Sequence, residues 1–434
     1  MVWGMDNTNK REPIRLPILQ KWDCHVCGTC CKEYLVRLSE EEVREIESQK
    51  WDKNEELAGY DPIKVKGLIF KNYFLNHRKD GSCVFLDNNN LCKIHKKFGL
   101  SGKPLPCQMF PYILVPTGKF WSVGVRFACP SATKNLGAPA DEQKEQITRF
   151  RDILVKREKF TVSISDHPIK PRLDSNIDVD WDIIYLIRDA IKNILQFSKE
   201  NIPLGLRRIY GFSKELSKTK LNQLNPEQTI DFLDIFSKMV ISEVPVDAYS
   251  IQPPGWVDKV LFRQICALFS RKDHGPNKGI AAIGRVSLFR AAVHFARGAG
   301  EVPKLNAFTG NITFQQIDQN RLEIDKDCND LLFRYFFTKI DSLQFFGASS
   351  YGMSFWEGLH LLLALYPVVI WVALTINSSD GFYKDLEKSI EIVDDHYGFN
   401  KILGSFRQRT SFSLLCRNEG IPKLISWYSR KPVS

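Results

Sequence analysis

From residue 181 onward, apolar residues recur at helical spacing. WDIIYLIRDAIKNILQF sets Ile183, Ile184, Ile187, Ile191, Ile194 and Leu195 on one face, with Trp181 at the entrance. Asn225-Pro226-Glu227 is a helix cap with proline at the first helical position, ahead of Phe232, Ile235, Phe236 and Met239. The same spacing predicts helices over 255–271, 280–298, 328–341, 355–376, 382–396 and 400–428. LHLLLALYPVVIWVALTI (Leu359 to Ile376) is just long enough to raise the question of a membrane. Pro367, His360 and the lack of a Lys/Arg cluster at either end instead predict a core helix and no membrane span.

Ahead of residue 181 the pattern is shorter and more broken. Residues 1–22 are polar and proline-interrupted, an N-terminal extension. LSEEEVREIES predicts a helix capped by Ser39, with Glu42 completing a capping box and Leu38 and Val43 forming a hydrophobic staple. CVFLD and LCKIH flank Asn88-Asn89-Asn90, the pattern of a β-hairpin with Cys83 and Cys92 near its ends. PTGKFWSVGVRFACP predicts a second hairpin around Thr117-Gly118. GAPADEQKEQ begins a polar helix to about Glu158, and KFTVSIS adds a strand. The pattern divides the chain into the extension, a cysteine-rich domain over 23–136, a connecting segment over 137–180 and a mainly helical domain over 181–434. The fold class is α+β, a small loop-rich metal domain followed by helices.

Composition changes this picture little, except for cysteine. The 434 residues are 44% apolar, 12% aromatic and 25% charged, the range of ordinary folded proteins. A net charge of +10 is too dispersed to establish nucleic-acid binding. Of eleven cysteines, Cys24, Cys27, Cys30, Cys31, Cys83, Cys92, Cys107 and Cys129 fall before residue 130. Cys266, Cys328 and Cys416 stand alone and read as small apolar side chains. No apolar secretory segment opens the sequence, so the expectation is a cytoplasmic protein, where thiols ligate metals rather than pair as disulfides.

Cys24-His25-Val26-Cys27-Gly28-Thr29-Cys30-Cys31 carries the sharpest signal. A C-x2-C turn converges two sulfurs on one tetrahedral centre. C-x2-C-x2-C is also the spacing that supplies three ligands of a [4Fe–4S] cluster, and Cys129-Pro130 suits the fourth. Consecutive side chains project in different directions, so one of Cys30 and Cys31 is expected to serve elsewhere. Eight thiols divide into two groups of four, as two centres or as one cluster plus thiols with another role. An iron–sulfur cluster, most simply 4Fe–4S, and zinc both fit. From Asn88 to Ala140 there is no Asp or Glu, while Lys93, Lys96, Lys97, Lys103, Lys119, Arg126 and Lys134 are basic. Such a stretch balances an anionic cluster, forms a docking face or is simply a solvated surface.

In order, CHVCGTCC, CVFLDNNNLCKIH, GKPLPCQMFPY and FACP resemble the YkgJ or CxxCxxCC cysteine-cluster family over residues 22 to about 132. The resemblance implies a zinc- or iron-chelating domain, often labelled Fe–S cluster-containing. The family pattern at the third motif is Arg-Pro-x-x-Cys-Arg-x-Phe-Pro; here Lys103 and Gln108 replace the arginines, so no guanidinium fork is expected there. In length, in RYFFTKIDSLQFFG, in the apolar helix after Glu357 and in IVDDHYGF, the chain resembles flagellin lysine N-methylases more loosely. That resemblance implies methyl transfer to lysines of a protein substrate.

No S-adenosylmethionine motif accompanies it. GAGE (Gly298 to Glu301) follows a helical pattern, and the first cysteine spacing is not the C-x3-C of radical enzymes. A zinc-finger reader of nucleic acid would carry a basic helix beside its ligands, whereas the helix after Cys31 is acidic. His25 and His95 lie near thiols as ligands or, more simply, as neighbours. Glu357 and His360, spaced i and i+3, read as a core contact before a metal pair. Asp394, Asp395 and His396 end a helix where two carboxylates oppose the dipole, a minor site candidate. The expectation is therefore a metal-binding cysteine-cluster protein, either an oxidoreductase or transferase, or a metal-stapled interaction module. Substrate, electron donor and oligomeric state are not encoded legibly.

Overall fold

A computed structural model describes residues 13–67, 70–157, 170–219, 221, 224–270, 285–320 and 324–430. The strand expected at KFTVSIS lies outside the described residues. Among the described residues before 140 the chain forms six short strands: β1 (Ile14–Arg15), β2 (Arg37–Leu38), β3 (Ile63–Lys66), β4 (Asn72–Leu75), β5 (Tyr112–Pro116) and β6 (Trp121–Val125). They make two sheets, ordered β1-β6-β5 and β2-β4-β3. The β5–β6 hairpin turns at Thr117-Gly118 as the sequence predicts, and β1 adds to β6 in parallel.

Short helices fill the spaces between strands: α1 (Thr29–Glu33), α2 (Glu40–Ser48), α3 (Lys93–Phe98), α4 (Leu105–Met109) and α5 (Pro130–Thr133). The Ser39–Glu42 capping box of α2 is formed in both directions. The Cys83–Cys92 segment is not a two-stranded hairpin. Its arms meet in a single bridge, Leu86 with Cys92. Asp87 Oδ1 accepts from the amides of Asn89 and Leu91, closing a tight turn, and the chain then enters α3 instead of continuing a ladder.

Two small apolar clusters serve this region. Leu105, Tyr112, Trp121, Val123, Val125, Ile147 and Phe150 pack under the first sheet; Leu38, Ile46, Leu75, Val84, Phe85 and Ile94 pack beside the second. Beyond residue 181 one continuous core surrounds the helix Phe355–Ile376. That helix is long and apolar enough to cross a membrane, and here other parts of the chain bury it.

The helices Trp181–Phe197, Pro226–Glu243, Trp256–Ser270, Arg285–Arg297, Lys326–Asp341 and Phe382–His396 lie where the spacing puts them. Two departures have physical causes. The predicted helix over 400–428 is broken into Phe406–Arg417 and Gly420–Trp427, because Glu419 adopts a left-handed conformation (φ 55°) before Gly420. The helix Ile202–Leu216 is not among those predicted. Pro203 sits in the first turn, where it is tolerated, and Asn201 caps it by accepting from Leu204 N at 3.1 Å.

The two regions meet along β6. Gly124 faces Gln344 so closely that a Cβ there would fall 2.4 Å from the Gln344 amide carbon. Behind it, Lys339 and Asp394 form an ion pair at 2.6 Å with side chains only 2% and 0% exposed. Lys339 Nζ also donates to Val125 O (3.1 Å), while Asp394 accepts from Ala128 N (3.2 Å) and the Tyr335 hydroxyl (3.2 Å). Burial pulls the Lys339 ammonium below its usual range, and Asp394 opposes that shift. Arg334 reaches the opposite way, donating to Gln20 Oε1 (3.0 Å), Ala132 O (2.9 Å) and Thr133 O.

Candidate metal centre

Gly28 opens the cysteine helix α1. Its φ of 72° is left-handed, and a Cβ would lie 2.8 Å from Asn90 Oδ1, so two independent constraints favour glycine. Within α1, Cys30 and Cys31 bring their sulfurs to 3.9 Å. This corrects the expectation that neighbouring side chains diverge. In a helix successive side chains are only about 100° apart, against about 180° in a strand. Two thiolates on one tetrahedral ion with ~2.3 Å bonds stand about 3.8 Å apart, so the observed separation suits a shared ion.

Three further segments deliver thiols to α1. Cys83 N donates to Cys31 O at 2.8 Å, tying the turn segment to the helix. Cys92 caps α3, and Lys93 N bonds Phe85 O at 2.8 Å. Cys107 lies within α4, whose first turn is fixed by Leu105 N donating to Glu42 Oε1 at 2.7 Å. Cys31, Cys83, Cys92 and Cys107 all pack in the apolar cluster beside the second sheet.

Lys103 lies within electrostatic range of Cys30, Cys31, Cys92 and Cys107. Burial lowers its pKa, but Cys107, Cys92, Cys30 and Cys31 together more than offset that, leaving the ammonium above its ordinary range. The loop carrying it is pinned from both sides. Gln49 Nε2 donates to Gly102 O at 2.8 Å, and Gln108 Nε2 donates to Lys103 O. Gln108, at one of the two positions where the family pattern has arginine, therefore shapes the loop of the other.

Burial disfavours the thiolate form of Cys30, Cys83 and Cys107. Burial pushes Cys83 and Cys107 up to about 12, with neighbouring thiols adding to the shift; Lys103 opposes it at Cys107. Cys30 is raised by its contact with Cys31 and by burial. A soft ion that displaces these protons would turn the group into thiolates, with Lys103 beside them as counter-charge.

The other three predicted ligands stand differently. Cys129 caps α5 in the cluster under the first sheet, with burial raising its pKa to about 11 and the Cys30 charge contributing. Cys24 and Cys27 are exposed on the arm before α1. Among the described residues, no three His, Cys, Asp or Glu side chains stand close enough together to hold one metal ion. The donor chemistry, thiols packed in neighbouring apolar clusters, fits a thiophilic metal.

The remaining candidates have structural partners. Exposed His25 contacts Asp23 O through Nδ1 at 2.9 Å, and His95 is exposed on α3. Glu357 is held by a bidentate pair with Arg409 (2.7 and 2.6 Å), and His360 Nε2 lies 2.8 Å from Ser213 Oγ. Asp394 belongs to the Lys339 pair. Asp395 binds Arg126 at 3.1 Å, and His396 Nδ1 lies 3.3 Å from Asn400 Nδ2. Arg126 was legible only as part of the basic stretch. Its guanidinium lies over Phe399 (3.8 Å) and Tyr34 (4.9 Å), joining the end of α1 to the helical region.

Against known families, residues 23–144 match the model of CxxCxxCC, described as "Putative zinc- or iron-chelating domain". No curated protein and no solved structure matches the chain.

Proposed function

We propose, from the premise that residues 23–144 form a cysteine-cluster domain of the zinc- or iron-chelating kind, that this region holds an iron–sulfur cluster. The ligands come from Cys30, Cys31, Cys83, Cys92 and Cys107, with Cys129 and the Cys24–Cys27 arm completing the set. The observation that supports the reading is that Cys31, Cys83, Cys92 and Cys107 pack in one apolar cluster, with Lys103 within electrostatic range of Cys30, Cys31, Cys92 and Cys107. Cys30 also feels the charges of Cys31 and, across the cluster, contributes to the shifts of Cys107 and Cys129. This part of the chain thus carries more sulfur donors than one tetrahedral ion takes.

A second reading, zinc, is favoured by the 3.9 Å separation of Cys30 and Cys31, which suits a single ion better than two corners of a cluster. Transfer of methyl groups to protein lysines, or another redox role, rests on the resemblance of the sequence alone.

Anaerobic purification followed by metal and acid-labile sulfide analysis tests the proposal. Brown protein with iron and sulfide, lost in Cys107→Ser and retained in Cys266→Ser, is the expected result. Colourless protein with stoichiometric zinc lost in the same variant supports the second reading. Metal content unaffected by Cys107→Ser, or no bound metal, overturns both.

A further inference from the structure

Far from the cysteines in sequence, the helical region buries a cation with too few acceptors. Arg207, on Ile202–Leu216, is 3% exposed and donates through Nη2 to Val246 O at 2.9 Å. Its Nε and Nη1 reach no acceptor among the described residues. The Tyr366 hydroxyl, on the central helix, is also buried without a hydrogen-bond partner among them. Tyr366 and Arg207 lie within electrostatic range of each other. Adjacent Arg208 does not compete for the same space, because its Nη1 and Nη2 donate to Ser198 Oγ (2.8 Å) and Ile241 O (2.9 Å).

A cleft of about 340 Å³ opens at Arg207, between the start of its helix at Asn201 and Pro203 and the loop Val246–Tyr249. Two exposed carboxylates, Glu200 and Asp247, line it as well. Neither hydrogen-bonds Arg207. Asp247 Oδ1 accepts from Tyr249 N at 2.9 Å, and Glu200 pairs with Lys199 at 3.8 Å. Burial and the neighbouring Arg208 pull the Arg207 pKa down, with Asp247 and Tyr366 opposing.

Buried guanidinium donors are normally satisfied by acceptors, and Arg207 is one of the residues that line this cleft. An anion of high charge would meet Glu200 and Asp247, whereas a molecule carrying both signs would be attracted at each end. We propose that this cleft binds a small zwitterion of the α-amino-acid type, its carboxylate on Arg207 and its ammonium toward Asp247 and Glu200.

Calorimetric titration of the full chain with L-leucine, 4-methylpentanoate and inorganic phosphate separates the contributions. 4-Methylpentanoate has the same carbon frame without the ammonium. L-leucine is expected to bind about tenfold or more tighter than either other probe. Asp247→Asn, an exposed change, should weaken L-leucine several-fold and leave 4-methylpentanoate unaltered. The proposal is overturned if L-leucine does not bind, if phosphate binds more tightly, or if Asp247→Asn strengthens L-leucine binding. It is also overturned if Arg207→Gln, folded by circular dichroism, binds L-leucine as the parent does.

Discussion

The helical region wraps Phe355–Ile376 in one continuous apolar core, while the cysteine-rich region divides its apolar side chains between two small clusters. In the first, the ion pair of Lys339 with Asp394 is held inside the structure. In the second, side chains repeatedly hold backbone. Arg78 donates to Val84 O and Leu86 O (3.0 and 2.6 Å), Gln49 to Gly102 O, and Glu42 accepts from Leu105 N. The difference teaches that the cysteine-rich region builds loops to position side chains and relies on more than apolar burial. A bound ion is the natural further constraint in so loop-rich a structure.

The strongest way to break that comparison is to remove the ion. Exhaustive chelation of metal-loaded protein should raise amide hydrogen exchange across residues 24–129 by orders of magnitude and leave the central helix Phe355–Ile376 protected. Equal protection throughout would show that the small clusters suffice on their own.

Next in size is the shared boundary. Lys339→Met leaves Asp394 buried without its cation, a loss of about 3–5 kcal/mol measured by denaturant unfolding. A change below about 1 kcal/mol would mean that water reaches the pair.

A smaller effect belongs to the helical core alone. Burial lowers the His360 pKa to about 4, whereas an unfolded histidine titrates near ~6.5. As pH falls, the unfolded chain takes up this proton first. Stability is therefore full above about 6.5 and declines by about 2–3 kcal/mol toward pH 4, and His360→Gln should flatten that slope. The smallest expected effect is Ser39→Ala, which removes one side of the α2 capping box and costs about 1 kcal/mol in thermal unfolding.

Most of the helical region was legible because long 3.6-residue periodicity reports a buried face directly, as in Trp181–Phe197 and Phe382–His396. Ile202–Leu216 was not predicted; it carries Pro203 in its first turn and Gly205 and Gly211 within it. The cysteine string was legible as chemistry, but the relation of Cys30 to Cys31 was not. Spacing alone does not say that α1 is helical, and five residues are too few to show a period. Lys103 was visible as a replaced arginine; its place among thiols depends on Gln49, Glu42 and Gln108, which are distant or unremarkable in sequence. Asp394 drew attention as an acid at a helix end, yet its partner Lys339 lies in a different helix and only the tertiary structure joins them.

The clasp of Arg334 on Ala132 O, Thr133 O and Gln20 Oε1 bears on how this polypeptide is handled at the bench. Severed from the helices, the cysteine-bearing half would lose the donor that finishes α5, and the helical half would uncover Lys339 and Asp394. Fragment complementation is thus the realistic route to two pieces: each half is expected to accumulate in soluble form when both are synthesised in the same cell, and to precipitate when made alone.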